Sequence, residues 1–274
     1  MYSLGLSSCG KTLAHALFAA YHDAGIACME ISLPAPEYDT LDYPGVAALA
    51  QAHGVTLWSF HLPFSPFDQL DISSTDDALR ARSVAYLSGL IQKATSIGIK
   101  HSVIHASGEP IAEADRAARM ACAKESLRAL SAVAVDCGGT LMVENLPRTC
   151  LGRDSADMLE LLSAAPELRA VFDTNHLLAE NPIEFIHHLG AKIISTHVSD
   201  YDLIDEKHWL PGEGKADWPA IIRALSDAKY RGPWLYEIGF AAPKTHPRSR
   251  DLTCEDFVRN AQALLAGQKP PVIP

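Results

Sequence analysis

The stretch Leu141-Met142-Val143-Glu144 is an apolar run that ends on a carboxylate, and Leu235-Tyr236-Glu237 repeats the pattern near the other end of the chain. A carboxylate closing a buried strand is costly unless something partners it. Outward from these two, short β-rich runs alternate with longer stretches of helical spacing, the pattern of repeated βα units. The predicted strands are residues 2–7, 27–33, 55–61, 102–106, 140–144, 170–173, 193–198 and 234–238. Residues 76–94 form the clearest predicted helix, with Leu79, Val84, Leu87, Leu90, Ile91 and Ala94 on one face and Thr75 as its N-cap. Asp154 opens a helix over 155–164 and Asp217 one over 218–228, while Gly138-Gly139 ends the helix that starts near Glu113. Helical crossovers are what parallel strands require.

Eight such units in 274 residues suit one closed barrel, which usually takes roughly 250 residues. A doubly wound open sheet gives similar local patterns, so the polar residues decide. In a barrel every strand delivers its C-terminal end to one shared mouth. The strand ends here are Glu30, His61, His105, Glu144, Asp173, His197 and Glu237, an acid or a histidine on seven successive strands. The reading is therefore an α/β protein, a (β/α)8 TIM barrel in a single domain over residues 1–267, followed by an extended C-terminal tail at 268–274.

The net charge of -10 argues against a nucleic-acid partner, because phosphate binding needs a basic surface. No apolar run approaches the roughly 18 residues of a membrane span, and no secretory signal opens the chain, so a cytoplasmic protein without membrane attachment is expected. The six cysteines contain no CxxC pair and read as free thiols. A homo-oligomer is left open.

Three carboxylates and one imidazole in a single pocket, as Glu144, Asp173, His197 and Glu237 would provide, carry a formal charge of -3, and their repulsion raises carboxyl pKa values. A divalent cation reverses that. The oxygen-rich donor set suits Mn, Mg, Co or Zn and lacks the thiolates that select zinc.

The segments His61-Leu-Pro-Phe, Val103-Ile-His105, Val143-Glu144-Asn145-Leu-Pro147, Phe172-Asp173-Thr-Asn-His176, Thr196-His197-Val-Ser-Asp200, His208-Trp-Leu-Pro-Gly-Glu-Gly214 and Tyr236-Glu237-Ile, in that order, resemble the sugar phosphate isomerase/epimerase family of the xylose-isomerase-like barrel superfamily. The resemblance implies a metal-dependent isomerase or epimerase working on a small-molecule carbohydrate. It makes Glu144, Asp173, His197 and Glu237 the metal ligands and Glu144 with Glu237 the acid/base pair. A proton would leave the carbon next to a carbonyl through an enediolate, and the same step serves dehydration of a related polyol. His176, Arg148 and His208 are then expected at the substrate, as are His61, His105 and Glu30. The ketose epimerases carry a glutamate six positions after the first ligand, where this chain has Cys150, a departure that counts against ketose 3-epimerase activity in particular. The superfamily also includes endonuclease IV, and His61, His105, His176 and His208, with Glu206 or Asp205, fall where its extra ligands would be. That leaves room for additional zinc ions and for a multi-zinc phosphodiesterase as the alternative. A catalytically silent sugar-binding barrel is the third reading.

Three further features carry expectations. Asp200 is read as orienting His197, with a loop cap as the alternative. Gly5 to Thr12 satisfies GxxxxGK[ST], but Gly5 falls within the first predicted strand, so the segment reads as strand, turn and helix rather than a nucleotide loop. Gly212-Glu213-Gly214 reads as a turn or as a phosphate-binding loop of backbone amides.

Overall fold

The computed structural model describes residues 2–274. All eight predicted strands form: β1 Leu4–Ser7, β2 Cys28–Ile31, β3 Thr56–His61, β4 His101–His105, β5 Thr140–Glu144, β6 Arg169–Asp173, β7 Ile193–His197 and β8 Trp234–Tyr236. β1 to β7 pair in parallel in sequence order, and β1 pairs in parallel with β8. A bridge from Val198 to Tyr236 closes the ring between β7 and β8. Helices follow every strand: α1 His15–Ala24, α2 Tyr43–Ala52, α3 Asp77–Ser96, α4 Arg116–Asp136, α5 Ser155–Leu162, α6 Pro182–Leu189, α7 Trp218–Asp227 and α8 Cys254–Leu265. The architecture is a (β/α)8 TIM barrel.

Strand alternation positions the site. Side chains along a strand point alternately to its two faces. On β5, Leu141 and Val143 join the large core shared with the helices, whereas Met142 packs with Val103 of β4 and Val171 of β6 in a small separate cluster. That cluster is the plug of the barrel interior. Two residues further along each strand, on the same face, stand His105, Glu144 and Asp173. The mouth is therefore polar because the interior face continues one step past its apolar plug.

The helix starts follow local capping chemistry. Asp154 accepts from the Asp157 amide and Asp217 from the Ala220 amide, as expected. The α3 cap lies one residue later than predicted: the Asp76 side chain, not Thr75, accepts from the Ala78 and Leu79 amides. A carboxylate there both satisfies the free amides and opposes the positive end of the helix dipole.

Asp200 corrects an expectation. It lies fully buried and accepts hydrogen bonds from the amides of Tyr201, Gly212 and Ala216 and from the Trp218 indole. It closes the long β7–α7 connection and makes no contact with His197. Gly214 is required beside it, since a Cβ there would lie 2.3 Å from the Asp200 carboxylate. The loop at 212–214 is built as a turn around Asp200: the Gly212 and Ala216 amides donate to its carboxylate and the Glu213 and Lys215 amides to the Leu210 and Tyr201 carbonyls. Asp200→Ala leaves these buried donors unpaired and is expected to cost at least about 3 kcal/mol. Thermal denaturation checks this as a fall in Tm of about 6 °C or more.

The P-loop-like segment is a strand and turn. Gly5 lies within β1, where a Cβ would meet the Cys28 sulfur at 2.8 Å. Gly10 turns at φ +68°, and the Lys11 ammonium donates to the carbonyls of Ser7, Cys9 and Ile238, tying the first loop to the last. The 268–274 tail has no regular structure and folds back, with Asn260 donating to the Pro271 carbonyl. No helix among the described residues is long and apolar enough to cross a membrane.

Candidate metal centre and active site

Glu144 ends β5, Asp173 ends β6, His197 ends β7 and Glu237 follows β8, and the barrel brings all four together with donor atoms within 4.8 Å of one another. His197 Nδ1 lies 3.1 Å from Glu144 Oε1, 3.4 Å from Glu237 Oε2 and 3.8 Å from Asp173 Oδ2. Glu144 Oε1, Asp173 Oδ2 and His197 Nδ1 are buried and make no hydrogen bond. Buried polar atoms are rarely left unpaired, so three orphans facing one point mark a place for a cation. Their separations suit ligands on a common ion held at about 2.0–2.2 Å.

The other donor atom of each of these three residues is anchored by the protein. Glu144 Oε2 accepts from His61 Nε2 at 3.1 Å, and Asp173 Oδ1 accepts from the amides of Asn175 and His176. His197 Nε2 donates to Glu30 Oε2 at 3.1 Å, which leaves Nδ1 free as a lone-pair donor. Asn145 exchanges both amide groups with the Asp173 backbone and fixes β5 against β6. Such partners aim metal ligands and tune their basicity.

Glu30 thus takes the role expected of Asp200. It is fully buried, accepts from Ser59 Oγ at 2.7 Å as well as from His197, and stands behind the ligands rather than on the pocket wall. The expectation that it contacts substrate is corrected accordingly. Glu30→Gln keeps an acceptor for His197 but removes the charge behind it, and metal affinity is expected to fall about 10- to 100-fold. Titration of the metal-free variant with Mn²⁺ checks this.

The remaining predicted residues do line one cavity of about 360 Å³ at the mouth: His61, His105, Arg148, His176 and His208, together with Glu144 and Glu237. Its volume falls in the range of small-molecule sites, roughly 300–1,000 Å³. His105 Nε2 is 3.3 Å from Glu144 Oε2, and His176 Nδ1 is 3.2 Å from Glu144 Oε1. His176, Glu206 and His208 form a second group of converging donors beside the first. Arg148, at φ +53°, spans the mouth with its guanidinium bound to Glu109, Asp205 and Glu206. Cys150 sits on the wall with its thiol pushed up to about 12 by burial, so it stays neutral. Sequence reasoning did not single out Phe64 and Phe67, which form the apolar side of the cavity. Their only signal was position, immediately after the His61 strand end.

Without a cation the cluster gathers protons instead. Burial alone would lower His61, yet its bond to Glu144 and the charges of Glu144, Glu30 and Glu237 push it up to about 9. Burial likewise opposes His176, but Asp173 and Glu144 raise it to about 10. Asp173 is raised by burial and by the neighbouring carboxylates Glu144 and Glu237. A divalent cation held by these residues would compete with those protons.

The family model for the xylose isomerase-like TIM barrel matches residues 18–253. The chain belongs to that family. Among solved members of the xylose isomerase-like fold, it resembles a D-psicose 3-epimerase determined with D-fructose, at TM-score 0.80 and 18% identity over 97% of this chain and 100% of the other. A D-tagatose 3-epimerase-like protein gives TM-score 0.76 and 22% identity over 86% and 90%. In sequence it is 28% identical over 121 residues to fructoselysine 3-epimerase of Escherichia coli O157:H7, which is 42% of this chain and 44% of that one. The curated relatives are matched over only 22% and 44% of their own lengths.

Proposed function

We propose that the protein is a divalent-metal-dependent isomerase or epimerase acting on a sugar or related polyol derivative. The observation that carries this is the placement of two carboxylates, Glu144 at the end of β5 and Glu237 just after β8, 3.1 and 3.4 Å from His197 Nδ1. Glu144, Asp173, His197 and Glu237 would hold the cation, whose Lewis acidity would make the C–H on the hydroxyl-bearing carbon next to a bound carbonyl more acidic. Glu237 removes that proton. In the metal-free site burial would raise its pKa, but a protonated His197 holds it below the ordinary carboxylate range; with the cation bound, the cation's charge would keep Glu237 ionised in place of that proton. The His61 imidazolium on Glu144 Oε2 would supply the proton that Glu144 passes to the other face of the resulting enediolate, inverting the carbon, while the proton taken by Glu237 leaves to solvent. Glu144 Oε2 is held by His61 and His105, which keep the carboxylate in place while a proton passes. His176 and His208 on the cavity wall would contact the substrate oxygens, with Arg148 beside them held by Glu109, Asp205 and Glu206. Loss of hydroxide instead of reprotonation makes the same site a dehydratase. The epimerase names of the relatives above support the reading.

Deuterium wash-in from D₂O across ketoses, inososes and their phosphates tests it. One carbon next to the carbonyl should exchange, and only when metal is present. No exchange on any of them with metal bound would sink the proposal.

A multi-metal phosphodiesterase is favoured by one specific observation, the His176, Glu206 and His208 group beside the first site, with His61 and His105 on Glu144. Metal stoichiometry separates the two. One ion per chain fits epimerisation, and two or three fit hydrolysis.

A further inference from the structure

Beyond the metal ligands, the cavity divides into two sides of different chemistry. One side carries Glu109, Glu206 and Arg148. Arg148 is the only lysine or arginine among the described residues lining the cavity, and its guanidinium already binds three carboxylates. Lys11, in the first loop, spends its donors on three backbone carbonyls, and Lys207 pairs with Asp202. Four of the five backbone amides of 212–216, where barrels of this kind often hold a phosphate, are already taken: Gly212 and Ala216 by Asp200, Glu213 and Lys215 by carbonyls of Leu210 and Tyr201. A phosphate on this side of the cavity would therefore meet two carboxylates and a guanidinium already paired with them.

Another part of the wall is an aromatic shelf. Phe64 is 43% exposed and Phe67 37% exposed, which is unusual for phenylalanine beside a cavity of this size. Both rings are fixed. Phe64 stacks on His105 with ring centres 4.2 Å apart and planes 18° apart. Phe67 lies on the backbone of Gly108, where a Cβ would come within 2.6 Å of its ring. Rigid apolar rings in contact with water favour a ligand with an apolar face, because burying them releases that surface at little cost in side-chain entropy.

We infer that the site takes a sugar whose far end is uncharged and apolar, such as a second ring or an aryl or alkyl substituent on the Phe64–Phe67 shelf, and not a sugar phosphate. This rests on the sugar reading of the pocket given above and narrows its substrate class.

The test measures binding, which does not depend on turnover. Mn²⁺-loaded protein is titrated with D-fructose, its 1- and 6-phosphates, and its 1-O-benzyl and 6-O-benzyl ethers. At least one benzyl ether should bind tenfold or more tightly than fructose, and neither phosphate should bind more tightly than fructose. In Phe64→Ala/Phe67→Ala the ratio of benzyl-ether to fructose Kd should return to near one. A phosphate that binds more tightly than fructose, a benzyl ether without advantage, an advantage that survives in the double variant, or no binding by any of these sugars overturns the inference. If the benzyl preference holds and no carbon exchanges with D₂O, the epimerase reading fails while the assignment of the shelf stands.

Discussion

Glu237→Gln is expected to lower turnover of the true substrate by about 10²–10⁴-fold, the usual worth of a positioned general base. The amide keeps the length of the side chain and one oxygen for the cation, and three ligands remain, so metal content should fall far less than activity. His197→Ala should show the reverse order. It removes the nitrogen at the centre of the donor group and should lose metal first, with activity partly restored by added metal. Solvent exchange of the substrate C–H under saturating metal reads the difference directly, staying low in Glu237→Gln and recovering in His197→Ala. Near-normal exchange in metal-loaded Glu237→Gln would remove Glu237 from the proton transfer.

The second large effect is the dependence of stability on metal and pH. A cation that binds only the folded chain stabilises it by about 2.7 kcal/mol at a free concentration a hundredfold above Kd. Chelator should therefore lower Tm by roughly 5–10 °C. The sign of the pH effect follows from the raised pKa values of the metal-free site. His61 at about 9 and His176 at about 10 hold protons in the folded state that an unfolded histidine releases near 6.5. The stability these protons contribute is fully present below about 6.5 and is lost as pH rises through 9 and 10. The elevated Asp173 acts in the same direction, favouring the folded metal-free state when protonated and disfavouring it once ionised. Metal affinity meanwhile rises with pH, because the ligands must be deprotonated. The gap in Tm between metal-loaded and chelated protein should widen from pH 6.5 to pH 9. A gap that stayed flat or narrowed over that range would contradict the site.

The strands and the four ligands were legible in the sequence because both depend on local pattern. An apolar run ending in Glu144 or Asp173 is read from five residues, and the barrel then sends every such end to the same rim. The orienting partner of His197 was not legible. Asp200, three residues on, looked suitable from its spacing, yet it turns outward to collect the amides of its own loop. The true partner, Glu30, lies 167 residues away on β2 and reaches His197 through the barrel interior, a proximity that only closure of the ring creates. Arg148 was legible as a cavity residue but not as one neutralised by Glu109, Asp205 and Glu206, because these acids arrive on two other loops. Phe64 and Phe67 escaped notice because an apolar residue after a strand looks the same whether it packs inward or stands at a cavity wall.

The central claim is that Glu144, Asp173, His197 and Glu237 hold one divalent cation at the mouth of the barrel. Anomalous diffraction from crystals soaked in Mn²⁺ tests it most directly. The account predicts a strong peak at about 2.0–2.3 Å from Glu144 Oε1, Asp173 Oδ2, His197 Nδ1 and a Glu237 oxygen, the distance range of such bonds. No peak among these four, or a peak at His176, Glu206 and His208 alone, would contradict it.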